Sequence, residues 1–352
     1  MMGTLISHLE EHPDLTPEER QALAALEPRL GPIHIRQRLG LEEEYKAQAL
    51  RERTQLFNRE HWLSNPALIR GGLWLLGLHG RARRNALAIE VRQHEVRLSH
   101  LPSAFEGFTL LQVSDLHFGM NDQFLEELIQ RIKPLRYDLC VLTGDYRALT
   151  YGPYDEALDG LERLRAAINT PTYAILGNHD TIRMVPAMEA MGYRLLLNEA
   201  TSLSCDGESL YLAGIDDAHF YRLDNIHRAA QDIPLEAVSI LLSHTPETYR
   251  QAAHAGFDVM LCGHTHGGQI CLPGGIPVRT EATSPRRLAR GAWHYAGMIG
   301  YTSTGAGTST VDARLNCPPE VTLHQLRCSP LSRGGRGSSA GTGSGTARPP
   351  AR

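Results

Sequence analysis

The sequence predicts an α/β fold with parallel strands, and three observations support this. Five short apolar runs are typical of buried strands, namely residues 109–113, 138–142, 171–176, 239–242 and 258–261. Residues 124–132 and 154–168 carry apolar side chains at helical spacing between the first three runs, an order that favours parallel pairing. Polar residues follow each of the five runs. Because the carboxyl ends of parallel strands meet at one sheet edge, we expect these polar side chains to lie in one crevice.

The composition is that of an ordinary globular protein. The 352 residues are 42% hydrophobic and 21% charged, which allows a sizeable core in one large domain or two modest ones. A formal net charge of -4 argues against a nucleic-acid binder with a broad basic surface. The six cysteines form no Cys-x-x-Cys pair, and the first residues lack a secretory signal. We therefore expect a cytoplasmic protein with free thiols.

Residues 1–100 are predicted to form a helical extension that ends in a lead-in strand. Thr16, Pro17 and Glu19 combine a cap, a first-turn proline and a capping-box glutamate, so we expect a helix that ends near Leu26. Helix breakers occur at residues 28–32, and the charged stretch at 41–62 favours a second, longer helix. Residues 86–98 alternate between apolar and polar side chains and predict a strand.

Residues 67–78 form the one stretch for which a membrane must be considered. About 20 apolar residues are needed to cross a bilayer, so this stretch is too short, and Arg70 interrupts it. Two interpretations remain open. In the first, the stretch is a helix buried against the rest of the protein. In the second, residues 67–84 make peripheral contact with the inner membrane face through Trp74 and the arginines that follow it.

The polar residues that follow the five runs are typical of metal ligands. They are, in chain order, Asp115, His117, Asp145, Asn178, His179, Asp180, His244, His264 and His266. Any one of these motifs is compatible with an ordinary turn or a polar loop. Without His179 and Asp180, they supply three carboxylate or amide oxygens and four imidazoles, enough for two cations that share a ligand. A donor set without thiolate suits manganese, iron or zinc, and we expect manganese to support activity best.

This ordered set of motifs resembles that of the calcineurin-like metallophosphoesterases. The resemblance covers roughly residues 108–326, and residues 267–270, 305–307 and 318–320 are similar to the bacterial phosphodiesterase branch of the family. It implies a sandwich of two mixed β-sheets flanked by helices, with a dimetal site at one edge. The expected organisation is the extension at 1–100, a catalytic domain at 101–328, and a disordered tail rich in glycine, serine and arginine at 329–352.

The resemblance also implies which residues hold the two divalent metal ions. The expected ligands of the first ion are Asp115, His117 and His266, and those of the second are Asn178, His244 and His264. Asp145 would bridge the two ions, and a hydroxide shared between them would attack the phosphorus.

Two further residues are expected to act in catalysis without binding metal. His179 would protonate the leaving group or stabilise its charge, and Asp180 would orient the His179 ring. Arg147 could reach a substrate phosphate, and the loop that contains Asp216, Asp217 and His219 could contact substrate. Ordinary loop chemistry explains these last residues equally well.

The predicted function is a dinuclear metal-dependent phosphoesterase acting on phosphodiester or pyrophosphate bonds. Because related members include hydrolases of the lipid precursor UDP-diacylglucosamine, the substrate is expected to be a small molecule or a lipid-linked one. Two alternatives remain. One is a phosphomonoesterase or protein phosphatase that uses the same site, and the other is a non-catalytic binding module stabilised by its metals.

Overall fold

Two six-stranded β-sheets pack face to face in the computed structural model, which describes residues 9–10, 12, 14–53 and 66–329. The first sheet contains, in order across the sheet, β1 (Glu90–Leu98), β14 (Glu320–Cys328), β2 (Thr109–Val113), β3 (Leu139–Leu142), β4 (Thr172–Ala174) and β5 (Tyr193–Leu195). The second contains β12 (Gly291–Tyr295), β13 (Met298–Thr302), β9 (Val259–Cys262), β8 (Ser239–Leu242), β7 (Glu208–Gly214) and β6 (Glu199–Cys205). A small hairpin is formed by β10 (Cys271–Leu272) and β11 (Ile276–Pro277).

Helices cover the outer faces of the two sheets. They are α1 (Pro17–Ala25), α2 (Glu27–Leu30), α3 (Pro32–Arg53), α4 (Pro66–Leu75), α5 (His79–Ala86), α6 (Phe124–Ile132), α7 (Asp155–Ala167), α8 (Val185–Ala190), α9 (Ile226–Ala230) and α10 (Tyr249–His254). This arrangement confirms the expected sandwich of two mixed sheets flanked by helices.

Each strand that precedes predicted metal ligands has at least one parallel neighbour, as the sequence indicated. In the first sheet β2 pairs with β3, and β3 pairs with β4, both in parallel. In the second sheet β8 and β9 form a parallel pair. Antiparallel pairs between β14 and β2, β12 and β13, and β6 and β7 make both sheets mixed.

The core has three apolar layers because successive residues of a buried strand point to opposite faces. Leu110 and Ile240 lie in the layer between the two sheets. Leu111 faces the other way and packs in the layer that includes side chains of α6, α7 and α8. Leu241 packs in a third layer with side chains of α9 and α10 on the outside of the second sheet.

The N-terminal extension begins as the sequence predicted and then differs from it. Thr16 caps α1 with a complete capping box. The second long helix starts at Pro32 rather than near Leu41, because Gly31 ends α2 at a φ of 81° and proline is well tolerated at the first helical position. The predicted end of this helix near residue 62 lies outside the described residues, as does the predicted disordered tail from residue 330 onward.

Arg38 of α3 connects the extension to the loop that follows β4. Its side chain is fully buried, with Nη1 3.2 Å from Asp216 Oδ1 and Nε 2.9 Å from Glu42 Oε1. Nη2 donates to the backbone carbonyl of Asp180 at 2.9 Å. Glu42 in turn accepts from the Ile182 backbone N–H at 2.9 Å. Helix α3 is therefore anchored by buried charges to the segment that carries Asn178 and His179.

Replacing Arg38 with methionine is expected to lower the free energy of unfolding by about 3–5 kcal/mol, because Asp216 and Glu42 would remain buried without their cation. Urea unfolding followed by circular dichroism measures this change. Arg36→Met on the same helix is the matched control, since Arg36 is exposed and its loss should change stability by less than about 0.5 kcal/mol. Equal effects of the two substitutions would show that the buried network contributes no stability of its own.

Helix α4 is mostly exposed rather than buried against the domain. Leu73 packs with Ala82 and Val311, but Trp74 is 75% exposed and Leu75 is 86% exposed. The interpretation of residues 67–78 as a buried helix is therefore wrong for most of its apolar side chains. Within the described ranges, every helix is too short or too polar to cross a membrane. Residues 79–86 form α5. The strand predicted at 86–98 therefore starts later than expected, since β1 begins at Glu90.

Candidate metal centre

The loops that follow five strands bring the predicted ligands together at one end of the sandwich. Asp115 and His117 follow β2, Asp145 follows β3, Asn178 follows β4, His244 follows β8, and His264 and His266 follow β9. Three overlapping sets of side chains each place their potential donor atoms within 4.8 Å of one another. The sets are Asp115 with His117 and His266, His117 with Asp145 and His179, and Asp145 with His244 and His264. The crevice expected from the strand ends is therefore present.

The first group consists of Asp115, His117 and His266. Nε2 of His117 lies 3.0 Å from Nε2 of His266, which in turn lies 3.6 Å from Asp115 Oδ1. Nδ1 of His117 lies 2.9 Å from the carbonyl of Arg147. Donation of this Nδ1–H to the carbonyl leaves the Nε2 lone pair directed at the group, which is the arrangement that metal-binding histidines adopt.

The second group contains His244, His264 and Asn178. His244 Nε2 lies 3.1 Å from Asn178 Oδ1, and its Nδ1 lies 2.7 Å from the carbonyl of Thr143, which fixes the ring in the same way. Nε2 of His264 is buried and has no hydrogen-bond partner among the described residues. A buried imidazole nitrogen without a partner is unfavourable unless a ligand is bound. The donor set of this group therefore fits a cation.

Asp145 lies between the two groups. Its Oδ2 is 3.2 Å from His244 Nε2 on one side and 3.7 Å from His117 Nε2 on the other. Its Oδ1 accepts a hydrogen bond from the His179 backbone N–H at 2.8 Å. The carboxylate is thus fixed where it can contact two neighbouring cations.

The buried donors carry strongly shifted pKa values. Burial lowers the pKa of His117 to about 3. Burial would also lower the pKa of His244, but the charge and hydrogen bond of Asp145 together with the charge of Asp115 raise it to about 10. Burial would raise the pKa of Asp145, but His244 and His179 hold it well below its usual value. Burial, with the like charge of Asp145, raises the pKa of Asp115 to about 7. The opposite shifts of His244 and Asp145 have one cause, which is the attraction between a buried imidazolium and a buried carboxylate.

The backbone is strained at most of the predicted ligands. Left-handed φ angles occur at five of them, namely Asp115 (55°), His117 (43°), Asp145 (60°), His264 (69°) and His266 (49°). Each such conformation costs about 1–3 kcal/mol in a residue with a side chain, and it persists only where the surroundings determine it. Hydrogen bonds between the loops do so here, for example from Asp115 N to Gly144 O at 3.0 Å and from His264 N to Asp115 Oδ1 at 2.9 Å.

Gly263 shows why glycine is needed before the His264 motif. A Cβ at this position would lie 1.9 Å from Ser114 Oγ and 2.4 Å from Asp115 Oδ2. Any side chain would therefore push the loop after β9 away from Asp115.

His179 is the most exposed of the predicted site histidines. Its side chain is 19% exposed, whereas those of His117 and His244 are fully buried. Its Nε2 lies 4.0 Å from Asp145 Oδ2, and its Nδ1 lies 3.4 Å from Thr150 Oγ1. His179 therefore combines proximity to the donor groups with access to solvent.

Asp180 has partners that differ from those predicted. Its Oδ2 accepts from the backbone N–H groups of Asp145 and Gly177, both at 2.8 Å, and its Oδ1 accepts from that of Tyr146 at 2.8 Å. The carboxylate is fully buried beneath the loops, and both of its oxygens bind backbone amides. The side chains against the His179 ring are those of Thr150, His117 and Asp145. The role expected for Asp180 is therefore wrong, and the carboxylate instead holds the loops after β3 and β4 together.

Two residues outside the predicted set of ligands and catalytic residues contact the site. Arg314 is fully buried, with Nη2 3.1 Å from His266 Nδ1 and Nη1 donating to the His266 carbonyl at 3.2 Å. The ring of His219 lies 4.3 Å from that of His264, between centroids, and its Nδ1 is 3.0 Å from Glu247 Oε1. No motif marks Arg314. His219 was considered only as part of a loop that could contact substrate.

The acidic pair of that loop serves the structure. Asp216 pairs with Arg38 and with His34, whose Nε2 lies 3.0 Å from Asp216 Oδ2. Asp217 Oδ2 accepts from the backbone N–H groups of Phe220 and Tyr221 in a tight turn. Ordinary turn chemistry therefore explains Asp217, and a buried ion pair explains Asp216.

Known proteins share both the motifs and most of the length of this chain. The profile of the calcineurin-like phosphoesterase family matches residues 108–268. The metallophosphoesterase YkuE of Bacillus subtilis (strain 168) is 30% identical over 274 residues, which are 74% of this chain and 94% of YkuE. The phosphodiesterase YaeI of Escherichia coli (strain K12) is 27% identical over 246 residues, which are 65% of this chain and 86% of YaeI. The UDP-2,3-diacylglucosamine pyrophosphatase LpxG of Chlamydia trachomatis (serovar D) is 25% identical over 297 residues, which are 65% of this chain and 87% of LpxG.

The similarity to YkuE extends over nearly all of that protein, and the family profile spans the strands and loops that carry all the predicted ligands. The two mixed sheets and the clustered histidines and aspartates agree with it. The chain therefore belongs to the calcineurin-like phosphoesterase family and is a metal-dependent hydrolase of phosphoester bonds.

Proposed function

We propose that this chain is a dinuclear enzyme that hydrolyses phosphodiester or diphosphate bonds in a small or lipid-linked substrate. The observation that carries this proposal is the placement of Asp145 between two groups of buried donors. The names of two relatives add support, since YaeI is a phosphodiesterase and LpxG is a pyrophosphatase of a diacylated sugar nucleotide.

In this proposal the seven donors hold two divalent ions. The ligands of the first ion are Asp115, His117 and His266, and those of the second are Asn178, His244 and His264, with Asp145 shared. Such a pair of ions supplies a nucleophilic water at neutral pH and offsets the charge that develops on the phosphoryl oxygens. Manganese, iron and zinc all suit this mixture of carboxylate, amide and imidazole donors.

The remaining residues of the site position these donors and move a proton. Backbone carbonyls fix the rings of His117 and His244, and Arg314 contacts that of His266. His179 holds a proton at its solvent-facing ring and delivers it to the departing oxygen, a contribution of about 10²–10⁴ to the rate. Asp180 acts only indirectly, through the backbone amides that it binds.

A metal-depletion experiment tests this function. The purified protein is expected to hydrolyse bis(p-nitrophenyl) phosphate, to lose that activity on treatment with EDTA, and to regain it with Mn²⁺. A parallel assay with p-nitrophenyl phosphate distinguishes a diesterase from a monoesterase. A protein that binds two equivalents of metal but hydrolyses monoesters, diesters and diphosphates at the uncatalysed rate would instead be a metal-stabilised binding module.

We further propose that the exposed face of α4 makes peripheral contact with an anionic membrane surface. Trp74, Leu75 and Leu76 are 75%, 86% and 70% exposed, and the exposed Arg81 and Arg84 follow on α5. Apolar side chains next to arginines are the combination that binds anionic bilayers.

The double substitution Trp74→Glu and Leu75→Glu is expected to lower the vesicle partition coefficient at least about tenfold, because each fully buried apolar side chain contributes roughly 1.5–3 kcal/mol. Co-sedimentation with vesicles of phosphatidylcholine and phosphatidylglycerol measures the change. Leu235→Glu is the matched control, since Leu235 is 99% exposed and lies outside α4 and α5. Equal binding of all three proteins would exclude this face as a membrane contact.

A further inference from the structure

A cavity of about 150 Å³ lies beside the metal centre, between α3 and the loop that follows Asp145. Its lining includes three cations, Lys46 of α3, Arg147 and Arg183, and two carboxylates of α3, Glu42 and Glu43, with Thr150 beside them. Glu42 pairs with Arg38. Thr150 connects the cavity to the candidate centre, because its Oγ1 lies 3.4 Å from Nδ1 of His179. One side chain of the cavity wall therefore contacts the proposed proton donor.

Arg147 is the cation of this cavity that has no acidic partner. Arg147 is only 4% exposed, and its Nη2 donates to the Gly152 carbonyl at 2.7 Å. Nε is buried without a hydrogen-bond partner, and no carboxylate of the described residues forms an ion pair with the guanidinium. Lys46 and Arg183 differ, since both pair with Glu43. A buried, unpaired cation is unfavourable, so its presence at a cavity indicates an anionic ligand.

The backbone of Arg147 fixes this guanidinium relative to the metal ligands. Arg147 is two residues after Asp145, and its carbonyl lies 2.9 Å from Nδ1 of His117. The main-chain carbonyl of Arg147 therefore contacts a residue of the first donor group, while its side chain lines the neighbouring cavity. A substrate whose scissile phosphoryl group lies at the metal centre would direct its leaving group past His179 toward this side chain.

We propose that this cavity is a subsite for a second phosphoryl group, carried on the leaving group of the substrate. This proposal rests on the proposed function, and it narrows the substrate class to diphosphate-linked compounds. In the reaction, an oxygen–phosphorus bond forms between water and the first phosphorus, and the bond from that phosphorus to the bridging oxygen breaks. The leaving group departs as a phosphomonoester. The attacking water loses one proton, and the former bridging oxygen takes up the proton that His179 holds. Arginine suits this subsite because its planar guanidinium can bind two phosphate oxygens at once.

A pair of matched substrates tests the subsite in the full-length protein. For wild type and Arg147→Met, kcat/KM is measured with bis(p-nitrophenyl) phosphate and with di(p-nitrophenyl) diphosphate. The substitution keeps the backbone carbonyl that contacts His117. We expect kcat/KM for the diphosphate to fall at least about tenfold further than that for the monophosphate diester, the loss typical of a charged hydrogen bond. Arg147→Lys should recover part of this difference, and Arg163→Met, at an exposed position on α7, should change neither value.

Binding of non-reacting probes provides a second readout that does not depend on turnover. Calorimetry with methylenediphosphonate and with inorganic phosphate separates a subsite for a linked phosphoryl group from a site for free phosphate. Wild type is expected to bind methylenediphosphonate at least about tenfold more tightly than phosphate, and Arg147→Met to lose this preference. The proposal would be overturned if Arg147→Met bound each probe as tightly as wild type does. If the substitution weakened only the binding of inorganic phosphate, the cavity would instead be a site for free phosphate.

The thermal midpoint of Arg147→Met distinguishes recognition from a structural role. Removal of an unpaired buried cation is expected to leave Tm unchanged or to raise it. A lower Tm, together with equal losses for the two substrates, would show that Arg147 is structural and would overturn the subsite. If wild type hydrolyses neither substrate, the proposed function fails, while the calorimetric comparison still decides whether the cavity binds a second phosphoryl group.

Discussion

Replacing Asp145 with alanine is expected to lower kcat for bis(p-nitrophenyl) phosphate by at least about 10³, because in the proposed centre this carboxylate would be shared by both cations. Loss of several kcal/mol of metal-dependent stabilisation corresponds to a decrease of this size. The structure gives the reason, since Asp145 Oδ2 lies 3.2 Å from His244 Nε2 and 3.7 Å from His117 Nε2, in separate donor groups. We also expect the variant to bind fewer than two equivalents of Mn²⁺ by metal analysis after dialysis.

Asp159→Ala is the control for this experiment, because Asp159 is exposed on α7 and away from the donor groups. It should retain wild-type turnover and two equivalents of metal. Full turnover by Asp145→Ala would contradict the dinuclear mechanism. Normal metal content with no turnover would instead show that Asp145 acts in a step after metal binding, for example on the position of the substrate or of the nucleophile.

Replacing His179 with alanine is expected to lower kcat by about 10²–10⁴ while metal content stays at the wild-type level. The structure separates the two effects, because the side chain is 19% exposed and reaches solvent, while its backbone N–H donates to Asp145 Oδ1 at 2.8 Å. Alanine retains that N–H. The expected defect is therefore one of proton transfer rather than one of metal binding.

The leaving group provides the sharpest test of this role. A p-nitrophenolate leaves without full protonation, whereas an alkoxide requires a proton. The loss for His179→Ala should therefore be larger with an alkyl phosphodiester than with bis(p-nitrophenyl) phosphate. His227→Ala, at an exposed position on α9, is the control and should behave as wild type with both substrates. Equal losses with both leaving groups would indicate that His179 binds the phosphoryl group and does not act as an acid.

The sequence indicated the strands and the predicted ligands because both depend on local patterns. Apolar runs such as 139–142 are buried on both faces, and the polar residues of the loops follow them directly. Parallel pairing of β2 with β3 then follows from the helix between them. The capping box at Thr16 was equally readable, because all its contacts are within three residues.

Contacts between distant residues could not be predicted in this way. Asp180 is adjacent to His179 in the chain, yet its carboxylate binds backbone amides as far away as Asp145. Arg314 contacts His266 across 48 residues, and no motif links the two. The exposure of α4 was likewise unpredictable, because the apolar stretch at 67–78 is compatible with burial against the domain or with contact outside it.

The sequence by itself determined the order of the donor residues along the chain and their chemical types, and it thereby predicted a site for hard or borderline cations. Only the tertiary structure decided that Asp145 lies between His117 and His244, that Arg38 anchors the extension to the loop after β4, and that Arg147 is buried without an acidic partner among the described residues. The physical reason is that ligand type follows from the side chain alone. Pairing, burial and charge compensation depend on residues that lie far apart in the chain and meet only when the two sheets pack together.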